Sequence, residues 1–306
     1  MHHVAHIDWS FADQPAPPSP TASGLARLRL IGPDQGAVHT EIAVGAIHAG
    51  GWIAPHVHSF EEVLYVLEGE VLLDLGGTVH RLRAADYALI PTGMRHSLGN
   101  SARDPIRFLS LNSPQRLDPS GSRRDTFYEP AHDLAQMDAA AVRPPFGDPT
   151  LRLVGHYEGT PPQLEALRIA DRPRDRAPAG MDTALLAYSG ISVKMLVDRG
   201  FGADLVTMFT VDYEIGGAAQ AHDHPFEEAY VFLEGEIEAE LDGQHYTLRA
   251  GDVVFAGVGS VHGFWNDGTQ RVRWIETQAP QPPARQAYRW VRSWERYDQG
   301  HSQEVS

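Results

Sequence analysis

The chain has 306 residues, with 25 Lys and Arg against 40 Asp and Glu and a formal charge of -15 at pH 7. That balance argues against nucleic acid and anionic membrane surfaces, both of which select basic patches. No cysteine is present, which excludes a disulfide framework and a thiolate site, and the length suits two domains of ordinary size.

Residues 1–24, MHHVAHIDWSFADQPAPPSPTASG, read as an N-terminal arm. The arm lacks a basic segment followed by an apolar run, and no stretch of the chain is long enough to span a membrane, so the expected location is the cytoplasm. His2, His3 and His6 fit a flexible, proline-rich arm better than a metal site, and such an arm is free to pack along a neighbouring sheet in a dimer. From residue 25 to 113, short β-like runs recur at regular spacing: RLRLI, VHTEIAVGAI, EVLYVLEGEVLLDL, TVHRLRA, YALIP and RFLSLN. Gly, Pro, Asn and Asp turns separate them, Gly76-Gly77 among these, as in an antiparallel barrel or sandwich.

Residues 114–184 form a long connector rich in Pro, Asp and Arg, of the kind that packs over a domain or closes a pocket. Within it HDLAQMDAAAV (132–142) predicts one helix, with Asp133 near its start and Pro144 after its end. His132 and His156 there read as surface or structural residues. A second β-rich stretch covers 185–278, with Asp242-Gly243 at a hairpin turn. In the tail, 279–306, Trp290, Trp294 and Tyr297 stand at helical spacing, an apolar stripe suited to packing on a barrel wall or a dimer partner.

The two β-rich stretches are copies. His56, His58, Glu62 and His96 return as His222, His224, Glu228 and His262, all displaced by one constant offset along the chain, and so do Phe60, Gly69, Arg83, Asp86, Gly93 and Asn100 as Phe226, Gly235, Arg249, Asp252, Gly259 and Asn266. Alternate residues of a strand share a face, so each His-x-His pair points one way. With the following Glu and the distant His it forms a three-imidazole, one-carboxylate donor set suited to iron, manganese, nickel, copper or zinc.

At these residues the chain resembles the cupin superfamily in its duplicated, bicupin form. Its first motif, G-x5-H-x-H-x3-E-x6-G, is met at Gly50, His56, His58, Glu62 and Gly69 and again at Gly216, His222, His224, Glu228 and Gly235. The second, G-x5-P-x-G-x2-H-x3-N, is met at Pro91, Gly93, His96 and Asn100 and at Gly251, Gly259, His262 and Asn266, with Ala85 and Gly257 replacing the first glycine and the proline. The resemblance implies an all-β fold of two tandem jelly-roll barrels, short helices aside, with one divalent transition metal per barrel and iron foremost. Fold does not fix reaction.

Parity from the ligands distinguishes the pockets. Leu64, Val66 and Leu98 would line the first barrel, and Tyr230, Phe232 and Phe264 the second, which makes the second the expected catalytic site, with Glu228 and Tyr230 as its reactive groups. Glu61, Glu227, Asp223 and Val57 would point away from the metals, the glutamates as surface charges or partners of ligands. Quercetinase and pirin-type bicupins imply a dioxygenase acting on a small organic acid, enol or phenol. The alternatives are a hydrolase, isomerase or decarboxylase, as in the ureidoglycine aminohydrolase type, or a non-catalytic small-molecule binder. A homodimer is expected.

Overall fold

Eight strands of the first barrel recur in the second. Ala22–Ile31, Glu61–Glu68, Glu70–Leu75, Thr78–Arg83, Asp86–Ile90, His96–Gly99 and Ile106–Ser113 return, at the offset of the motifs, as Tyr188–Val197, Glu227–Glu234, Glu236–Leu241, Gln244–Arg249, Asp252–Ala256, His262–Trp265 and Val272–Ala279. Glu41–His58 returns as Thr207–Asp223, one residue shorter. The computed structural model describes residues 1–117, 124–130, 140–141, 153–167, 188–282 and 289–290. The fold is all-β, two antiparallel barrels, and the repeat runs well beyond the motifs.

The long histidine strands organise each barrel. The first half of Glu41–His58 pairs with Ile106–Ser113 through Glu41–Ile47, and the second half pairs with His96–Gly99 through Trp52–His56. Between the halves Gly50 has φ +71°, and its counterpart Gly216 has φ +80°, a conformation that glycine adopts without a Cβ clash. The bend lets one strand serve both faces of a closing barrel. Asn100 and Asn266, the last motif residues, lock it: Asn100 Nδ2 donates to Ile47 O at 2.8 Å and Asp104 O at 2.9 Å, and Asn266 Nδ2 to Glu214 O at 2.9 Å and Gln270 O at 2.8 Å.

The interiors differ in chemistry. Aliphatic residues such as Ile47, Leu64, Val66, Leu73 and Leu98 fill the first, with Phe108; the second is packed with Phe209, Tyr213, Tyr230, Phe232, Phe264 and Trp274.

Chain packing defines two units, one of Asp8–Glu158 with Leu196–Thr207 and one of Met1–Ile7, Gly159–Met195 and Met208 onward. The arm is therefore no loose tail: His2–His6 is a strand that pairs antiparallel with Asp252–Ala256 of the same chain. Val154–His156 covers the corresponding edge of the first barrel, against Asp86–Ala88. Each barrel takes this edge strand from the segment preceding the other. Long-range pairing of this kind leaves no local sequence signal.

The motif departures are accommodated differently. Ala85 keeps the left-handed backbone of the glycine it replaces, φ +68° beside +90° at Gly251. Gly257, in place of proline, contributes an N–H that donates to Met1 O at 3.0 Å and lengthens the edge ladder.

The helix expected over 132–142 lies outside the described residues except at Ala140–Ala141, which form a strand parallel to His80–Arg81. Edge pairing there overrides helix propensity. His132, Trp294 and Tyr297 lie outside the described residues, whereas Trp290 is in a strand, Arg289–Trp290, paired with His222–Asp223, rather than on a helix. The α-helix among the described residues is Pro161–Leu167, where the Thr160 N–H donates to Gln163 Oε1 at 2.9 Å, half of a Thr-x-x-Gln capping box.

Candidate metal centres

His56, His58 and His96 converge so that their ligand atoms lie within 4.8 Å of one another, and His222, His224 and His262 do the same. The paired histidines face inward from one strand, and the third comes from the strand beside it, with His56 opposite His96 and His222 opposite His262. All six are buried.

Each imidazole is oriented by a backbone carbonyl two residues away. Nδ1 meets Ala54 O at 2.8 Å in His56, Phe60 O at 2.7 Å in His58 and Met94 O at 3.0 Å in His96. In the second barrel Nδ1 meets Gln220 O at 2.7 Å in His222, Phe226 O at 3.3 Å in His224 and Ser260 O at 3.0 Å in His262. A carbonyl only accepts, so Nδ1 carries the proton and Nε2 presents its lone pair to the centre.

The glutamates complete the donor sets. Glu62 Oε2 lies 3.4 Å from His58 Nε2 and 3.8 Å from His96 Nε2; Glu228 Oε2 lies 2.8 Å from His224 Nε2 and 3.3 Å from His262 Nε2. Nε2 of His58 and of His96 is buried without a hydrogen bond, a cost that a bound cation removes. Burial pushes the His56 imidazole down to about 4 and the His96 imidazole down to about 3, and it holds His222 well below its ordinary value with help from His262 and His224. For Glu62 and Glu228 burial works the other way, but His58 and His224 respectively, with the other histidines of each cluster, hold both carboxyls well below the usual range. Neutral imidazoles and an ionised carboxylate are the state a transition metal requires. Either cluster therefore fits one such ion.

Around Glu228 the structure places groups that parity had not revealed. Gln278 Nε2 donates to Oε1 at 2.6 Å, and the Tyr230 hydroxyl donates to Oε2 while standing 3.0 Å from His262 Nε2. Glu276, buried, accepts from Trp274 Nε1 at 2.9 Å; burial, then the charge of Glu228, raises its pKa well above the ordinary value. Beside this group is a cavity of about 30 Å³ lined by Phe209, Tyr213, His222, Tyr230, Phe264, Trp274 and Glu276 among others. Phe232 is outside that lining and packs on Phe264 and Trp274.

In the first barrel the positions of Glu276 and Gln278 hold Ser110 and Asn112. Ser110 Oγ donates to Glu62 Oε1 at 2.6 Å, and Leu64, Val66 and Leu98 are buried in the core. Extending the repeat to residue 113 would have exposed the Ser110/Glu276 divergence. Contrary to the parity expectation, Glu61 and Glu227 are not surface charges, both being buried, and Glu61 accepts backbone N–H groups of Asp204 at 2.7 Å, Leu205 at 2.8 Å and Val206 at 3.2 Å. Asp223 is buried as well. Facing away from the barrel interior is not facing water when a further segment covers the strand.

The cupin-domain family model matches the chain twice, at residues 43–112 and 209–277. The polyketide synthase CurC of Streptomyces cyaneus is 32% identical over 110 residues, 36% of this chain and 71% of that protein. The chain belongs to the cupin family. The protein SchB of Streptomyces halstedii is 30% identical over 111 residues, 36% of this bicupin and 80% of SchB. Among solved structures, salicylate 1,2-dioxygenase of Pseudoaminobacter salicylatoxidans with gentisate superposes with a TM-score of 0.69 at 15% identity, covering 91% of this chain and 81% of that one. Protein YlbA of E. coli gives 0.58 at 14%, covering 91% and 90%. At such identities these structures share the two-barrel fold with this bicupin, and the match carries no reaction.

Proposed function

We propose that this bicupin is a metal-dependent dioxygenase acting on a small organic acid, enol or phenol, with iron as its metal and the second barrel as its catalytic site. The observation that carries the reading is the set of Nε2 atoms oriented by backbone carbonyls and facing a glutamate, beside an aromatic-lined cavity. His222, His224, His262 and Glu228 would hold the ion, which when bound supplies electron exchange with dioxygen and Lewis acidity toward substrate oxygens. The first-barrel set, His56, His58, His96 and Glu62, would hold a second ion.

Tyr230 keeps its proton directed at Glu228 Oε2, which leaves its oxygen to accept from an O–H of the substrate and so orient it. Gln278 fixes the other oxygen of Glu228. Trp274, Phe264 and Tyr213 offer flat apolar faces that exclude water. The size limits the substrate: an apolar cavity that takes benzene measures about 150 Å³, so a cavity of about 30 Å³ takes a group of a few atoms and, of the three classes, favours a small organic acid or enol over a phenol ring.

Oxygen uptake is the test. Iron-loaded protein screened with 2-hydroxy acids, enols and phenols should consume oxygen in proportion to substrate, and turnover under argon would move the assignment to a hydrolase, isomerase or decarboxylase. A cytoplasmic homodimer completes the proposal. Its interface would use sheet edges other than the Asp252–Ala256 edge that His2–His6 already covers, and light scattering would measure its mass.

A further inference from the structure

The second cavity holds one carboxyl, Glu276, that belongs to neither donor set. It stands on Val272–Ala279, where Trp274, Glu276 and Gln278 alternate and so share one face, opposite Phe232, Tyr230 and Glu228 of the neighbouring strand. Gln278 steadies the ligand glutamate, and Trp274 walls the cavity. Glu276 lines that same cavity, as do His222 and Tyr230. A buried carboxyl is costly unless its oxygens meet partners. The first barrel does without it: Ser110 fills the equivalent position, and its hydroxyl is spent on Glu62.

The groups around Glu276 have their protons committed within the protein. Trp274 Nε1–H donates to Glu276 Oε2 at 2.9 Å, the Tyr230 hydroxyl donates to Glu228 Oε2, and His222 Nδ1–H donates to Gln220 O at 2.7 Å. Glu276 is itself in hydrogen-bond contact with Glu228, so a proton on either carboxyl lies between the two. What Glu276 and Tyr230 offer a ligand is therefore lone pairs, and a carboxyl has more acceptor positions than the Trp274 N–H uses. A carboxylate and a neutral carboxyl that shares its proton with Glu228 both accept, so the cavity keeps this character in either charge state.

We propose that Glu276 determines specificity in the second barrel by accepting a hydroxyl of the ligand, so that the site takes a small 2-hydroxy acid or enol and rejects the keto acid of the same size. A carbonyl oxygen set against Glu276 would face one acceptor with another, and both would be desolvated without a hydrogen bond. This selection rests on the second barrel being the substrate site and narrows the substrate class there.

The test uses the full chain loaded with zinc, which is redox-inert, and calorimetric titration with lactate and pyruvate, which match in size and charge and differ by a hydroxyl against a carbonyl. Lactate should bind at least about tenfold more tightly than pyruvate. Glu276→Leu should weaken lactate by about that factor and leave pyruvate nearly unchanged. Glu276→Gln, whose amide both accepts and donates, should hold lactate near its native affinity and tighten pyruvate, closing the preference from the other side. Loss of packing alone would weaken both ligands alike. Thermal unfolding checks each fold, and Glu276→Gln keeps an acceptor for Trp274 should Glu276→Leu fail to fold. The first barrel is unaltered in both variants, so a change they produce belongs to the second. Equal affinity for the two ligands in the native chain, heat from neither, or a lactate preference undiminished in both variants would overturn the proposal. A preference carried by Glu276 without oxygen uptake by the iron-loaded protein would strike the oxygenase reading alone, and oxygen uptake without that preference would strike this selection alone.

Discussion

The imidazole of His156 holds the carboxyl of Asp86, Nδ1 to Oδ1, at 2.5 Å, and His6 holds Asp252 through the same atoms at 2.7 Å. Asp86 and Asp252 are equivalent positions of the repeat, and each also accepts a backbone N–H, from Arg83 and Arg249, both at 2.8 Å. The two histidines arrive on strands, Val154–His156 and His2–His6, that are not part of the repeat, each in register with the same edge of its barrel. The aspartates thus serve as docking points for edge strands that would otherwise leave backbone groups exposed. His6→Ala should release the arm, seen as faster amide exchange within residues 252–256, with metal content unchanged. Protection equal to the native chain would show that the backbone ladder suffices alone.

Gly257 offers a second test of that docking. Gly257→Pro removes the N–H that Met1 O accepts, at a position where Pro91 already stands in the first barrel. The substitution should cost about 1 kcal/mol, the worth of one hydrogen bond, read as a lower denaturant midpoint with an unchanged slope. A larger loss would mean that the glycine is required by more than this bond.

Ala85 carries strain that its counterpart avoids. Its φ of +68° places a Cβ in the left-handed region, where Gly251 has none. Ala85→Gly should therefore raise stability by about 1 kcal/mol, and Gly251→Ala should lower it by at least as much. Thermal or urea unfolding of the two variants checks both signs.

Acid should weaken the metal-free chain in a defined window. The folded state depresses His56 to about 4, below the ordinary value of 6.5, so the unfolded chain binds the proton first as pH falls. Stability is then fully present above about pH 6.5 and is lost progressively toward pH 4. Urea midpoints of the metal-free protein at pH 7, 5.5 and 4.5 should fall in that order, and bound metal should oppose the fall, because protons and metal compete for Nε2.

Tyr230→Phe separates chemistry from metal binding. It removes the hydroxyl beside Glu228 and His262 but no metal donor. Metal per chain should stay at the native value while turnover in the proposed reaction falls by about tenfold, the worth of one hydrogen bond to a substrate oxygen.

How much of this was legible in the sequence depends on distance along the chain. The barrels were legible because both donor sets and the turn residues around them recur at one offset, and a strand's two-residue period sets which side chains share a face. Tyr230 and Phe264 could be counted from Glu228 and His262 by that parity. Gln278 could not: it stands well after His262, and its contact with Glu228 needs the closed barrel. Glu61 reads as a surface charge by parity because the segment Asp204–Val206 that covers it lies far away in sequence. The arm's strand pairing has the same cause, since Val4 meets Val254 through contacts that neither sequence neighbourhood contains.

The most direct test of two metal centres is the metal content of untagged protein, per chain, for the native sequence beside His58→Ala and His224→Ala. The account predicts about two equivalents of a divalent transition metal in the native chain and about one in each variant. Two equivalents retained by either variant, or no metal bound by the native chain even after reconstitution, would contradict it.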